Sequence, residues 1–270
     1  MKISRYIRTF RNWPIVFYNI YRKNFNFWAV YRDGRKFKVL SQGLLYFLSF
    51  SPDNLIYDQN SDILSFNFDG KSVKFKGALN NGDLASIFGD LCYNIDVRGK
   101  TVVDIGGNIG DSSVFFALRG SPMVIAFEPS YANFLTLQEN VHLNGLDKKI
   151  LSLHNGVSSE GCIIKLPVNS SGVNLNAINN KSAEGIEVEM IAIEKVIHEY
   201  NPQVIKIDCE GCEYEIFDSL SSASLRRVET ITGEYHGKGF NMIYKKLHNA
   251  GFKIFYQKRK SSGLFTAYRK

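Results

Sequence analysis

A chain of 270 residues with 44% hydrophobic and 13% aromatic side chains can bury a sizeable core, one domain of ordinary size plus an extension, and is globular rather than disordered. Its net charge of +7 is uneven: residues 1–40 hold ten Lys/Arg and one acid, residues 245–270 hold eight and none, and the body between them is acidic. Basic ends suit an anionic surface or acceptor, and equally a solvated face with no partner.

Residues 1–11 place Ile3, Tyr6, Ile7 and Phe10 at helical spacing, with Lys2, Arg5, Arg8 and Arg11 on the other side. Such a helix either packs on its own domain or makes a peripheral contact with an anionic membrane. Trp13-Pro14 marks a break, after which residues 15–22 continue as a second helix. Arg5, Arg8, Arg11 and Pro14 argue against a signal peptide, and no apolar run reaches the ~18 residues of a membrane span. A cytoplasmic protein, at most peripheral at a membrane, is expected. From Asn24 the pattern alternates, and Asp33-Gly34 and Asp69-Gly70 each sit between period-two runs, which predicts two hairpins around residues 42–50. Residues 1–75 thus read as an N-terminal α+β accessory region and residues 76–270 as the main domain.

A helix is predicted over 83–93, with Leu84, Ile87, Phe88 and Leu91 on one face. Residues 101–113, TVVDIGGNIGDSS, read as strand, tight loop and helix, with Asp111 or Ser112 as N-cap for 114–118. A second apolar run, 123–127, ends in Glu128-Pro129, and residues 130–143 carry Phe134, Leu137 and Val141 on one helical face before Asn144-Gly145. Further strands fall at 150–154, 204–208 and 228–236, with a closing antiparallel pair at 252–257 and 264–268, while 162–190 reads as short β segments of a surface ribbon. Alternation of strand and helix predicts an α/β fold: a Rossmann-like seven-stranded sheet, mostly parallel, with helices on both faces. Four cysteines (Cys92, Cys162, Cys209, Cys212) are no disulfide framework in a chain this long, and Cys209 and Cys212 lack the second pair or histidines of a zinc site. Reduced thiols are expected.

The loop after the first sheet strand identifies its ligand by what it lacks. Gly110 is followed by Asp111 and Ser112, not by the Lys-Ser/Thr of a P-loop, and the order Gly106, Gly107, Asn108, Ile109, Gly110 is not the dinucleotide G-x-G-x-x-G. An acid at the strand's end, Asp104, sits poorly beside pyrophosphate but favours a cationic ligand such as S-adenosylmethionine. Glu128, at the tip of the second strand, can accept from both hydroxyls of a ribose. Ligands of an open α/β sheet bind beyond the carboxyl ends of its strands, where Asp104, Glu128, Asn155, Asp208 and Glu234 all fall.

In that order, VVDIGGNIG, AFEPSYANFLTLQENVHLNG, VIKIDCEGCEYEIF and GEYH resemble the FkbM-type S-adenosylmethionine-dependent methyltransferases, over roughly residues 76–270. The resemblance implies S-adenosyl-L-methionine as cofactor and methylation of a varied acceptor, with D-x-E-G-x-E and E-x-H as site motifs. It places Asn155 where adenine is bound, and Asp104, Gly106, Asn108, Gly110, Glu128 and Asp208 join it as the expected cofactor residues. His236, two residues beyond Glu234 on the same strand face, is the candidate base for a hydroxyl acceptor. Asp208 contacts either the methionine ammonium or the acceptor, and Glu210 and Glu213 orient neighbouring groups. The expected catalytic set is His236, Glu234, Asp208 and Glu210. Asp208 and Glu210 alone lack a third ligand, so no metal is expected. The family's T-L-D segment is here Ala192-Ile193-Glu194, which suits a structural pairing.

The leading reading is an O-methyltransferase acting on a sugar, glycan or similar small polar acceptor. Lys258, Arg259 and Lys260 would guide an anionic one, such as a lipid-linked phosphate sugar. A nucleic-acid methyltransferase is the enzymatic alternative. It is disfavoured by the missing Asn/Asp-Pro-Pro-aromatic motif and by acids that repel phosphate, and no nucleic-acid partner is expected. A non-catalytic binding protein retaining the fold is the alternative of another class.

Overall fold

The computed structural model describes residues 3–78, 83–167, 185–209, 211–237, 239–258 and 262–269. They form two compact units, Met1–Cys92 and Tyr93–Lys270.

In the first unit, helices α1 (Ile3–Thr9) and α2 (Trp13–Tyr21) precede a hairpin of β1 (Phe27–Val30) and β2 (Lys36–Val39). Tyr6 and Phe10 are buried, with ring contacts to Phe17 and Tyr31 of the same unit, while Ile3 is exposed. Pro14 opens α2 instead of breaking it, because the first turn of a helix has no use for that N–H. Residues 42–50 contain a helix, α3 (Gln42–Leu48), started by Ser41, whose hydroxyl accepts the Leu44 amide at 3.0 Å. Strands β3 (Asp53–Asp58), β4 (Ile63–Phe68) and β5 (Lys71–Lys76) form an antiparallel sheet. The helix predicted over 83–93 is short and ends in a π-helical turn, Ala85–Gly89, with Leu91 at φ +54° stopping it. Phe88 of that turn packs edge-on against Phe66, Phe68 and Phe75. The turn therefore belongs with the first unit, and contacts divide the chain at 92/93 where the sequence places a boundary at 75/76.

The second unit is built on a seven-stranded sheet. In chain order its elements are β6 (Thr101–Ile105), α4 (Asp111–Leu118), β7 (Met123–Phe127), α5 (Tyr131–Leu143), β8 (Ile150–Leu153), α6 (Ile193–Tyr200), β12 (Val204–Ile207), α7 (Glu213–Ser219), α8 (Ser222–Arg227), β13 (Thr230–His236), α9 (Phe240–Asn249), β14 (Phe252–Lys258) and β15 (Ser262–Arg269). Between β8 and α6, β9 (Gly156–Ser158), β10 (Cys162–Leu166) and β11 (Ile186–Ala192) form a separate small sheet. The large sheet runs β14-β15-β13-β12-β6-β7-β8, parallel except where β15 lies antiparallel between β13 and β14. This is the predicted α/β architecture, a Rossmann-like seven-stranded sheet.

Alternate residues of each strand face opposite sides. Val103, Ile105, Ile205 and Ile207 share a core with Ile193 and Val196 of α6, Phe217 of α7 and Ile243 of α9. Each such side chain contributes about 1.5–3 kcal/mol when fully buried. Asp104 and Lys206 are register partners on neighbouring strands and fall on the other face, toward α4.

Two expectations need correction or fall outside these residues. Cys209 and Cys212 are not reduced thiols but a disulfide, because the turn leaving β12 brings their Cα atoms to 5.7 Å, within bridging range. Cys92 and Cys162 are free. Glu210, Arg259 and Lys260, and the side chain of Lys258, lie outside the described part of the chain.

Candidate active site

Residues 106–110 turn sharply between β6 and α4. Gly106, at φ +78°, passes so close to the end of β12 that a Cβ there would lie 2.0 Å from the Asp208 carbonyl oxygen. The Gly106 and Gly107 amides both donate to the Phe127 carbonyl, at 3.0 and 2.9 Å. Gly110, at φ +90°, is the N-cap of α4. Asp111 and Ser112 are therefore not caps: Asp111 is the first helical residue, and its carboxylate accepts the Ser112 amide at 2.8 Å.

Asp104 lies beneath this loop, not at the rim. It is fully buried, and its Oδ2 accepts the hydroxyls of Ser112 and Ser113, both at 2.6 Å. Its Oδ1 lies 3.1 Å from Lys206 Nζ, too poorly aligned to count as a hydrogen bond but close enough for a buried ion pair. Lys206 Nζ also donates to the Gly106 carbonyl at 2.7 Å. Burial acts to lower the Lys206 pKa, but Asp104, Asp208 and Asp111 outweigh it and hold the amine above the ordinary lysine value. The charge of Asp104 is thus met inside the fold. Sequence reasoning missed Lys206, although a lysine within the apolar run VIKI is a charge that a buried strand carries only with a partner.

Glu128, just beyond β7, is buried and accepts the amides of Asn108 at 2.7 Å and Ser130 at 2.9 Å. Burial raises its carboxyl to about 7, opposed by those two bonds and by the charge of Lys206. Its two oxygens offer about four acceptor positions, of which the two amides use two and the Asn133 side chain acts on a third. The Asn155 amide group donates to the Glu189 carbonyl at 3.3 Å.

Asp208, Glu234 and His236, from the ends of β12 and β13, converge: one ligand atom from each lies within 4.8 Å of the other two. Outside groups hold each of them. The Tyr93 hydroxyl donates to Asp208 Oδ2 at 3.2 Å, the Ser262 hydroxyl to Glu234 Oε1 at 2.6 Å, and His236 Nδ1 lies 2.8 Å from Glu213 Oε1. Glu213 is fully buried, and its Oε2 accepts the Gly211 amide at 2.9 Å. Glu213 therefore fixes the imidazole, which sequence reasoning had left as an unspecified orienting role. Tyr93 and Ser262 carry no sequence signal, since they reach the site only through tertiary contact. Glu194 is structural: it accepts the Ser221 amide at 2.6 Å and the Ser224 hydroxyl at the start of α8.

A family model described as the Methyltransferase FkbM domain matches residues 104–254. Among curated proteins, the hexuronic acid methyltransferase AglP of Haloferax volcanii is 28% identical over 137 residues, covering 49% of this chain and 54% of that protein. The chain thus spans about half the length of the curated relative it matches. Among solved structures, the 16S rRNA N2 G1207 methyltransferase RsmC of T. thermophilus, in complex with AdoMet and guanosine, aligns at a TM-score of 0.45 and 13% identity over 77% of this chain and 50% of that one. A precorrin-6y C5,15-methyltransferase of Geobacter metallireducens aligns at 0.42 and 10%, over 72% and 89%.

Proposed function

From a chain that belongs to the FkbM methyltransferase family, we infer an S-adenosylmethionine-dependent O-methyltransferase whose acceptor is a hydroxyl of a sugar, most simply a uronic acid or a glycan that contains one. The acceptor class follows the activity named for the Haloferax relative.

The residues present fit the donor. Glu128 offers its remaining acceptor capacity to a ribose diol, and 106–110 keep the backbone low beside it. Asn108, Gly106 and Gly110 shape that side of the cleft, Asp208 and Asn155 extend it, and Asp104 acts from below through Lys206 and the loop. When bound, the cofactor supplies an electrophilic methyl group on a sulfonium.

Transfer is an in-line displacement, so the protein's work is to align the acceptor oxygen and exclude water. An oxygen lone pair forms the new O–CH3 bond while the S–CH3 pair returns to sulfur, and the hydroxyl proton must leave. Activation of that hydroxyl falls to Asp208, Glu234 and His236, with Glu213 holding the imidazole. The observation that carries this reading is the convergence of these three side chains beside the glycine loop.

The test is incubation of the pure protein with methyl-labelled cofactor and separate neutral sugars, uronic acids, glycolipid fractions and nucleic acid. Label in the uronic-acid or glycan fractions, in alkali-stable ether linkage, is the expected result. Label confined to nucleic acid or protein would overturn it.

A further inference from the structure

We infer that Asp208, Glu234 and His236 bind a hard divalent cation, Mn²⁺ or Mg²⁺, whose coordination is completed by oxygens of the acceptor. The inference deepens the methyltransferase reading and rests on it for the cation's role, though not for its binding.

Ligand atoms about 2.0–2.4 Å from one ion are roughly 3 Å apart when adjacent and under about 5 Å when opposite. Mutual separations within 4.8 Å among two carboxylate oxygens and an imidazole nitrogen meet that condition. The donor set is mostly oxygen with one imidazole, which suits a six-coordinate Mn²⁺ or Mg²⁺ with open positions better than a thiolate-seeking ion.

His236 Nδ1 is engaged by Glu213, a fully buried carboxylate, so a ligand role falls to Nε2. A carboxylate behind a histidine is the arrangement that orients a metal-bound imidazole and makes it a better ligand. Tyr93 and Ser262 orient the two carboxylates in the same way.

Asp208, Glu213 and Glu234 place three carboxylates around one imidazole, and the charge of Lys206, which also acts on Asp208, is held by Asp104 and the Gly106 carbonyl. A uronic acid entering such a site meets like charge. A divalent cation reverses the local sign and can chelate the uronate carboxylate together with a neighbouring hydroxyl. Coordination lowers the pKa of that hydroxyl, whose proton passes to water. The resulting alkoxide pair forms the bond to the methyl carbon, and the C–S pair goes to sulfur. His236 is then a ligand, and Glu213 a positioning residue.

Sequence reasoning considered only Asp208 with Glu210. The other two ligands, Glu234 and His236, lie one strand over on β13, where spacing around Asp208 carries no signal.

The test uses the full chain, stripped with EDTA and dialysed. Mn²⁺ binding is read from loss of the free-ion electron paramagnetic resonance signal, and S-adenosylmethionine binding is titrated separately by calorimetry. One Mn²⁺ per chain is expected, with affinity reduced about tenfold or more in Glu234→Gln, His236→Ala and Glu213→Gln, each still binding S-adenosylmethionine. EDTA should abolish methyl transfer and Mn²⁺ restore it. No Mn²⁺ binding, or binding equal in wild type and all three variants, overturns the cation site. If S-adenosylmethionine still titrates and transfer survives EDTA, the methyltransferase reading stands without the ion. If S-adenosylmethionine itself does not bind, that reading fails separately.

Discussion

Lys206 Nζ lies 3.1 Å from Asp104 Oδ1 and donates to the Gly106 carbonyl at 2.7 Å, so one buried cation ties the acid of the central strand to the loop that follows it. Removing one member of a buried pair strands the other, at a cost of about 3–5 kcal/mol. Lys206→Met is expected to unfold at correspondingly lower urea concentration. The double variant Asp104→Leu with Lys206→Met should recover much of the loss, because neither charge is then left alone. Equal stability of Lys206→Met and wild type would remove the pair from the account.

The Glu128 carboxyl is raised by burial to about 7 from 4.5. Its folded pKa lies above its unfolded one, so its contribution to stability is complete below the unfolded value and is lost as pH rises through about 7. Glu128→Gln has no such slope and should gain melting temperature relative to wild type as pH rises through that window. Ribose hydroxyls donate best to the ionised carboxylate. Cofactor affinity in wild type is therefore expected to rise through about pH 7 with release of a proton, measured by calorimetry in buffers of different ionisation heat. A pH-independent affinity would contradict this.

The disulfide between Cys209 and Cys212 closes the turn that runs from Asp208 to Glu213. Alkylation of unfolded but unreduced protein should label Cys92 and Cys162 alone, and reduction should expose the other pair to mass spectrometry. A loop this short contributes about 2 kcal/mol in the chain-entropy treatment, so Cys209→Ser with Cys212→Ser should melt earlier. Labelling of all four cysteines without reduction would refute the bridge.

Much of the fold was legible because its signals are local. The helix α5 announces itself by Ser130, whose hydroxyl caps it, and by Leu137 and Val141, both buried. Strand β7 is a continuous apolar run ending in Glu-Pro, and β6 is a β-branched run around Asp104 ending in glycine. What stayed hidden is non-local or conformational. Helix α3 lies between two hairpins in a stretch given no element of its own in the sequence reading, and the turn at 85–89 keeps a helical pattern while changing its hydrogen-bond spacing. Among the candidate residues, Asp208, Glu234 and His236 were readable one at a time from strand ends. The inward turn of Asp104 toward Lys206 was not, since it depends on the register of two strands about 100 residues apart in the chain.

Gly106 offers a sharper handle on the loop. Gly106→Ala places a methyl group 2.0 Å from the Asp208 carbonyl in a left-handed backbone, at φ +78°, so either the loop or the end of β12 must move. Cofactor affinity should fall about tenfold or more, the size of losing one hydrogen bond to a charged group. Affinity unchanged in a folded Gly106→Ala protein would show that the loop does not shape the cofactor site.

The most direct measurement is calorimetric titration of the purified chain with S-adenosylmethionine, in wild type and in Glu128→Ala. One site per chain is expected, with a loss of about ten- to a hundredfold in the variant, the worth of hydrogen bonds to a charged carboxylate. A flat trace from folded wild-type protein, or the same affinity in both proteins, would contradict it.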